Sequence, residues 1–273
     1  MNRLPTAELH FLSPIFQATT TMFTNAIARK PGPDFASGLT TAEFGEPNYE
    51  LLQKQHKAYL NALQELGLQI DLLEPLSGYP DAYFVEDVAV VIDEIAVVTR
   101  PGAQSRAGET EYIVSTLEKY RPLTYIQPPG TLDGGDVMMA GRRCFVGISA
   151  RTNIEGAAQL GHILHRHGFE WMPVSVKKGL HLKSDVNYIG QNTLLLSGDM
   201  AKLDIFDSFE QIIVSTREAH AANSVLVNDR LITPLGYPQT KSQLLDRGFN
   251  VLEMDTSEVR KMDGGLSCLS LRF

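Results

Sequence analysis

LDGGD (residues 132–136) and MDGGL (residues 262–266) are near-copies of one acidic, glycine-rich turn, and each leads into an apolar run. Three further stretches follow the same plan: VEDVAVV (85–91), SDVNYI (184–189) and AANSVLV (221–227). In all five an acid or amide stands just ahead of a strand-like segment, at Asp87, Asp133, Asp185, Asn223 and Asp263. Their separations are 46, 52, 38 and 40 residues. Periods of roughly 40–50 residues mark propeller-like arrays, in which each unit buries its apolar face against the next. Five units would close a ring whose polar turns converge on the axis. Chance similarity among short acidic turns is the competing reading.

The segments between these turns fit repeated strand pairs joined by helices. VAVVI (88–92) and IAVVT (95–99) flank Asp93-Glu94, SVLVN (224–228) and LITPL (231–235) flank Asp229-Arg230, and NYIG and NTLLLS flank Gln191. Such β-branched runs around short polar turns predict hairpins. CFVGIS (144–149) and CLSLRF (268–273) read as single strands. Helical spacing is clearest at 48–66, where Tyr49, Leu52, His56, Tyr59, Leu60, Leu63 and Leu66 share a face before Gly67. Residues 107–120 and 153–167 predict helices too, and weaker helical patterns fall at 205–214 and 239–247. No Pro/Ser-rich linker divides the chain, so residues 22–273 are expected to form a single α/β domain. Residues 1–21 lack a basic n-region and a long apolar stretch, which argues against a secretory signal, and read as an extension ahead of Met22.

With 273 residues, 43% hydrophobic and 21% charged, the composition is that of a globular protein with a sizeable core. The formal net charge of -8, with no basic run, argues against nucleic acid or an anionic membrane as partner and is compatible with a cationic ligand. No apolar run approaches the roughly 18–20 residues of a spanning helix. Two cysteines in a chain of this length point to a reducing, cytoplasmic setting with free thiols. Phosphate-binding loops, dinucleotide fingerprints and zinc patterns are absent, so no cofactor and no metal is expected.

Cys268 follows Asp263-Gly264-Gly265-Leu266-Ser267, a turn that could present its sulfur as a nucleophile. A small buried core cysteine is the alternative, and for Cys144, mid-strand in RRCFVGIS, it is the stronger one. His181, in the loop KKGLHLKSD, suits acid–base work because an imidazole titrates near neutrality; an ordinary exposed histidine fits the same residues. His162, His165 and His167 cluster at a helix end, where cations suit the dipole. Asp81, Glu86 and Asp87 in PDAYFVED could receive a planar guanidinium in a two-pronged pair, or simply form a polar turn. Asp133 or Asp136 could orient a histidine. Arg100 and Arg151 each follow a strand and could clamp a carboxylate together.

Taken together, FVEDVAVV (84–91), TRPGAQSR (99–106), TLDGGDVMM (131–139), GISARTN (147–153), GLHLKS (179–184), AANSVLVN (221–228) and DGGLSCLSLRF (263–273) resemble the dimethylarginine dimethylaminohydrolase family of the amidinotransferase/deiminase superfamily. The resemblance runs from about Met22 to Phe273. It implies a five-bladed α/β propeller, the pentein fold, of ββαβ-type repeats. It implies hydrolysis of methylated arginine to citrulline, with Cys268 as nucleophile, His181 as general acid–base and Asp133 as the carboxylate that positions it. Glu86 and Asp87 match the guanidine-binding region, Asp81 a further substrate-binding carboxylate, and Arg100 and Arg151 the carboxylate-binding pair. Leu39 and Met262 match positions contacting the α-amino end, at least partly through backbone carbonyls. With Gly and Pro near Leu39, KPGPDFASGLT (30–40) reads equally as a candidate lid or as an ordinary surface loop. The partner is a small molecule, and a homodimer is compatible, since relatives are often dimers. Two departures stand out. Ser267 replaces a second cysteine that mammalian relatives link to inhibitory zinc binding, and Met262 replaces a β-branched residue. Rival readings are an arginine deiminase, an amidinotransferase and a non-catalytic guanidino-ligand sensor.

Overall fold

The computed structural model describes residues 22–177 and 179–273; the expected extension at 1–21 lies outside them. Five three-stranded sheets follow one another along the chain. The first holds β1 (Asn25–Arg29) and β2 (Gln69–Leu73). The second holds β3 (Ala89–Val91), β4 (Ala96–Val98) and β5 (Leu123–Tyr125). The third holds β6 (Val137–Ala140), β7 (Arg143–Ile148) and β8 (Glu170–Ser175). The fourth holds β9 (Val186–Tyr188), β10 (Thr193–Leu196) and β11 (Glu210–Ile213). The fifth holds β12 (Val225–Val227), β13 (Arg230–Pro234) and β14 (Val251–Met254). Each unit is an antiparallel pair followed, after a helical crossover, by a parallel strand. The final strand, β15 (Leu271–Arg272), returns to pair antiparallel with β1 and completes the first sheet.

Closure into a ring is visible in the packing. Five apolar clusters fill the five seams between neighbouring sheets. Val90 and Val97 meet Val137 and Val146; Phe145 meets Leu194 and Phe206; Leu195 meets Leu231. Val227 and Ile232 meet Ala26 and Ala28, and Ile27 and Leu271 meet Val88 and Val98. Burying one such aliphatic side chain contributes roughly 1.5–3 kcal/mol, so every seam is held by several such terms. The repeat read from the acidic turns is therefore a five-bladed α/β propeller.

The helices lie over these seams. α1 (Tyr49–Glu65) starts where Asn48 accepts the Leu51 N–H and buries Leu52, His56, Tyr59, Leu60 and Leu63, as its spacing predicts. The helix predicted at 107–120 is instead a 3-10 segment (Gln104–Tyr112) followed by one α turn, α2 (Val114–Leu117). A 3-10 turn eclipses residues i and i+3, and here it stacks the buried Arg106 beside Glu109. α3 (Ile154–His165) is capped by Asn153. The helical pattern at 205–214 gives way to a 3-10 turn at Asp204–Phe206 and then to β11, whose residues pair with β10.

A short helical turn precedes the first strand of every unit. These turns are Val85–Val88, Gly134–Asp136, α4 (Leu182–Asp185), Thr216–Ala222 and Ser267–Leu269. In that order they pack one against the next, Ser267–Leu269 against Val85–Val88, and two hydrogen bonds exchanged between Asn223 and Ser267 close the circle. CLSLRF is thus not strand throughout: Cys268 sits on the turn. α5 (Pro238–Asp246) occupies the predicted 239–247 segment.

Candidate active site

Asp133 begins the Gly134–Asp136 turn and is fully buried. Its Oδ1 accepts the Gly102 N–H at 2.9 Å, and its Oδ2 lies 3.0 Å from His181 Nε2 and 3.6 Å from Arg151. The next acid in the motif, Asp136, accepts the Leu182 N–H at 2.9 Å together with the hydroxyls of Ser149 and Thr152. One carboxylate orients the imidazole and the other fixes the backbone beside it. A Cβ on Gly135 would come within 2.7 Å of His181 Nδ1 and 2.8 Å of Asp87 Oδ1, so the second glycine of LDGGD is what lets those groups meet. Burial opposes protonation of His181, but the charge of Asp87, the Asp133 hydrogen bond and Asp136 outweigh it and raise its pKa to about 9. His181 is an imidazolium at neutral pH.

Asp87 holds Arg106 at 2.5 Å and accepts the Gly135 N–H at 2.8 Å. Burial works against its ionisation, yet His181 and Arg106 hold its pKa well below the usual carboxylate range. Arg106 is saturated: Nε and Nη2 reach Glu109, Nη1 reaches Asp87, and Nη2 also serves the Asp81 and Phe84 carbonyls. Cys268 faces this cluster from its turn, its N–H bonded to the Gly265 carbonyl. Burial first, then the charges of Glu86 and Asp87, push its thiol up to about 12.

These groups border a narrow cleft whose wall includes Cys268, His181, Asp87, Asp81, Arg151 and Met262, with the exposed Leu39 at the rim. Both oxygens of Asp81 receive the Leu39 N–H, which ties the candidate lid to the cleft. Asp133 lies behind His181. Glu86 does not line the cleft: its Oε1 takes Lys183 at 2.6 Å and Arg272 at 3.2 Å, while its buried Oε2 has no hydrogen-bond partner among the described residues.

Arg100 is a correction. It is exposed, and its guanidinium donates to the Gly130 carbonyl, because residue 100 forms a β-bridge with Leu132 that turns the side chain away from the cleft. The second arginine in the cleft wall is Arg106, six residues later in the same TRPGAQSR stretch. Arginine three residues ahead of glutamate was the signal available for it. Lys183, Arg272 and Asn223, which support Glu86 and Cys268, also escaped the sequence reading as site residues.

A family model for eukaryotic N,N dimethylarginine dimethylhydrolase matches residues 44–269. The chain belongs to the dimethylarginine dimethylaminohydrolase family. The N(G),N(G)-dimethylarginine dimethylaminohydrolase of Pseudomonas aeruginosa is 44% identical over 254 residues, covering 92% of this chain and 100% of that protein. The Streptomyces coelicolor enzyme of the same name is 34% identical, covering 91% and 96%. A solved Pseudomonas aeruginosa structure, a cysteine-to-serine mutant complexed with citrulline, superposes with a TM-score of 0.91 at 44% identity, covering 93% of this chain and 100% of that one. Met262 is buried in the cleft wall, and Ser267 Oγ lies 3.9 Å from Cys268 Sγ.

Among the described residues one group could chelate a metal: Asp87, Asp133 and His181, whose ligand atoms lie within 4.8 Å of one another. Arg106 and Arg151 already bring cationic charge to both carboxylates. Among the described residues no helix is long and apolar enough to cross a membrane.

Proposed function

We propose that the chain hydrolyses Nω-methylated arginine, both asymmetric dimethylarginine and monomethylarginine, to citrulline and dimethylamine or methylamine. The observation that carries this reading is the convergence of a thiol at Cys268, an imidazolium at His181 and the ionised Asp87 on one narrow cleft.

A guanidinium carbon is a weak electrophile because its charge is delocalised. Asp87, in the cleft wall, holds the cation in plane. Arrival of that cation offsets the two carboxylate charges that hold the thiol protonated, and Cys268 releases its proton to solvent. The thiolate attacks out of plane, forming a C–S bond while a C–N π pair moves onto nitrogen. His181, positioned by Asp133, gives its proton to the methylated nitrogen, and the C–N bond breaks to release the amine. The remaining S-alkylthiouronium is attacked by water, whose proton passes to the now neutral His181. The C–S bond then breaks and citrulline leaves. Dividing one difficult displacement into two is the purpose of covalent catalysis. Arg151 takes the substrate α-carboxylate, Asp81 helps to close the Leu39 loop, and the Leu39 and Met262 carbonyls receive the ammonium. The enzyme works on this small molecule in the cytoplasm, with nucleic acid and membrane playing no part, and a homodimer is compatible with that role.

Citrulline formation from each methylated substrate and from arginine, with the parent and Cys268→Ser, tests the reading. Turnover of the methylated substrates, little from arginine and none in the variant is expected. Fast arginine turnover would move the chain to the deiminase reading, and a fully active variant would sink the thiouronium mechanism.

A further inference from the structure

Ser267 stands directly before Cys268 and is 2% exposed. Its surroundings fix where its proton points. The Ser267 N–H donates to Asn223 Oδ1 at 3.0 Å, and Asn223 Nδ2 donates to the Lys183 carbonyl at 2.9 Å. A backbone N–H can only donate and a carbonyl can only accept, so the two contacts independently set the orientation of the amide. The remaining Nδ2 proton therefore goes to Ser267 Oγ, 3.1 Å away. The serine oxygen is an acceptor from Asn223, and its own proton needs another partner. Among the described residues the one within reach is Cys268 Sγ, at 3.9 Å.

We propose that Ser267 is a further catalytic residue: its hydroxyl, aimed by Asn223, donates a hydrogen bond to the Cys268 thiolate. The inference rests on the nucleophile role given to Cys268 above. A contact of 3.9 Å to a neutral thiol is long; an ionised sulfur is a much stronger acceptor and draws the hydroxyl in. The bond acts twice, when the thiolate forms ahead of attack and when the C–S bond of the thiouronium breaks. It opposes the charges of Glu86 and Asp87, which favour the protonated thiol. Asn223 is a positioning residue acting through Ser267. It packs so closely on the turn that a Cβ at Gly265 would lie 2.4 Å from its amide carbon, and through Lys183 the same amide ties the nucleophile's turn to α4, which begins beside His181.

The test is alkylation of Cys268 by iodoacetamide in the full chain, from about pH 6 to about pH 11, with Ser267→Ala, Asn223→Ala and the double variant. Cys144 is fully buried, and peptide mapping separates the two sites. Ser267→Ala is expected to lower the rate along the rising limb about tenfold, the equivalent of a one-unit upward shift of the curve. Asn223→Ala shifts it the same way, and the double variant shifts it no further than Ser267→Ala alone. Superimposable curves for parent and Ser267→Ala, or additive shifts in the double variant, would overturn the proposal. Should Asn223→Ala fail to fold, Ser267→Ala decides by itself. Because alkylation needs no turnover, a shift in a chain that makes no citrulline would leave the serine–thiolate bond standing and remove the proposed activity. Citrulline formation with unshifted curves would do the reverse.

Discussion

Replacing Asp133 by Asn keeps the shape of the side chain and removes its charge. The amide oxygen can still accept the Gly102 N–H, which leaves the NH₂ group facing His181 Nε2. That nitrogen must then accept, so the protonated ring loses its partner. A hydrogen bond to a charged group is worth about 1.5–3 kcal/mol, or about one to two pKa units. The His181 pKa, held at about 9 in the parent, is expected to fall by that amount. It does not fall further, because the largest favourable contribution, the charge of Asp87, remains. Turnover near neutrality drops by about 10²–10⁴, the usual worth of a positioned acid–base group, and the alkaline limb of the kcat/KM profile moves to lower pH. Stability carries the same signature. A histidine whose folded pKa exceeds its unfolded value near 6.5 stabilises the fold fully below about pH 6.5 and loses that contribution as pH rises through about 9. The shift corresponds to roughly 3 kcal/mol, so the Tm gap between parent and variant should narrow as pH rises from about 6 to about 10. Direct titration of the imidazole by NMR, beside the pH–rate profile, gives the answer. An alkaline limb and an imidazole titration that do not move in Asp133→Asn would refute the assignment of Asp133 as the group that holds His181 protonated.

Arg151→Ala should raise KM for free methylated arginine by about tenfold or more, the loss of one charge-assisted contact, whereas Arg100→Ala, outside the cleft, should leave kcat and KM unchanged; steady-state kinetics on both variants separates the two arginines. Arg106→Met strips Asp87 and Glu109 of a buried partner and should cost about 3–5 kcal/mol, read as a fall in the urea midpoint that exceeds that of any surface Arg→Met control. Leu160→Ala, in the seam between the second and third sheets, should cost about 2–5 kcal/mol in denaturant unfolding while leaving the pH–rate profile in place.

What could be read from the sequence followed burial. The central strands β4 and β10 are buried along their whole length, so IAVVT and NTLLLS stand out by their apolar runs. The outer strands β2, β5, β11 and β14 are half-exposed. Their residues, QIDLL, LTY, EQII and VLEM, have neither an apolar run nor clean alternation, and β11 was absorbed into a helical pattern. In the site, residues held by their neighbours in sequence were legible: Asp133 and Asp136 in LDGGD, and Cys268 after two glycines. Arg100 and Arg106 share one stretch, and only the β-bridge to Leu132 and the 3-10 turn after it decide which guanidinium enters the cleft. That decision is made by strand register and cannot be read from residue type. Glu86 is a milder case: adjacent in sequence to Asp87, it points to Lys183 on α4 and Arg272 on β15, far away in the chain.

The five repeated positions explain how one unit, used five times, yields a single asymmetric site. Asp87, Asp133, Asp185 and Asn223 sit in or at the end of a turn of the inner ring, Asp263 lies ahead of the last one, and each has taken a different partner. Asp87 keeps its charge for a cation, with Arg106 and the Gly135 N–H holding it in place. Asp133 spends its charge on His181. Asp185 turns to the Ser197 hydroxyl and serves the fourth unit's own fold. Asn223, the one position without a charge, sits against the turn that carries the nucleophile. An aspartate there would lose both amide donor bonds and add a third carboxylate near a sulfur that already has Glu86 and Asp87 against it. Asp263 adopts a left-handed φ of 56° and reaches Thr41 N at 2.5 Å and Thr41 Oγ1 at 3.0 Å, fastening the loop that bears Leu39. Asparagine, in place of a further carboxylate, against the turn that carries Cys268 is what the electrostatics favours, because Glu86 and Asp87 already hold that thiol protonated.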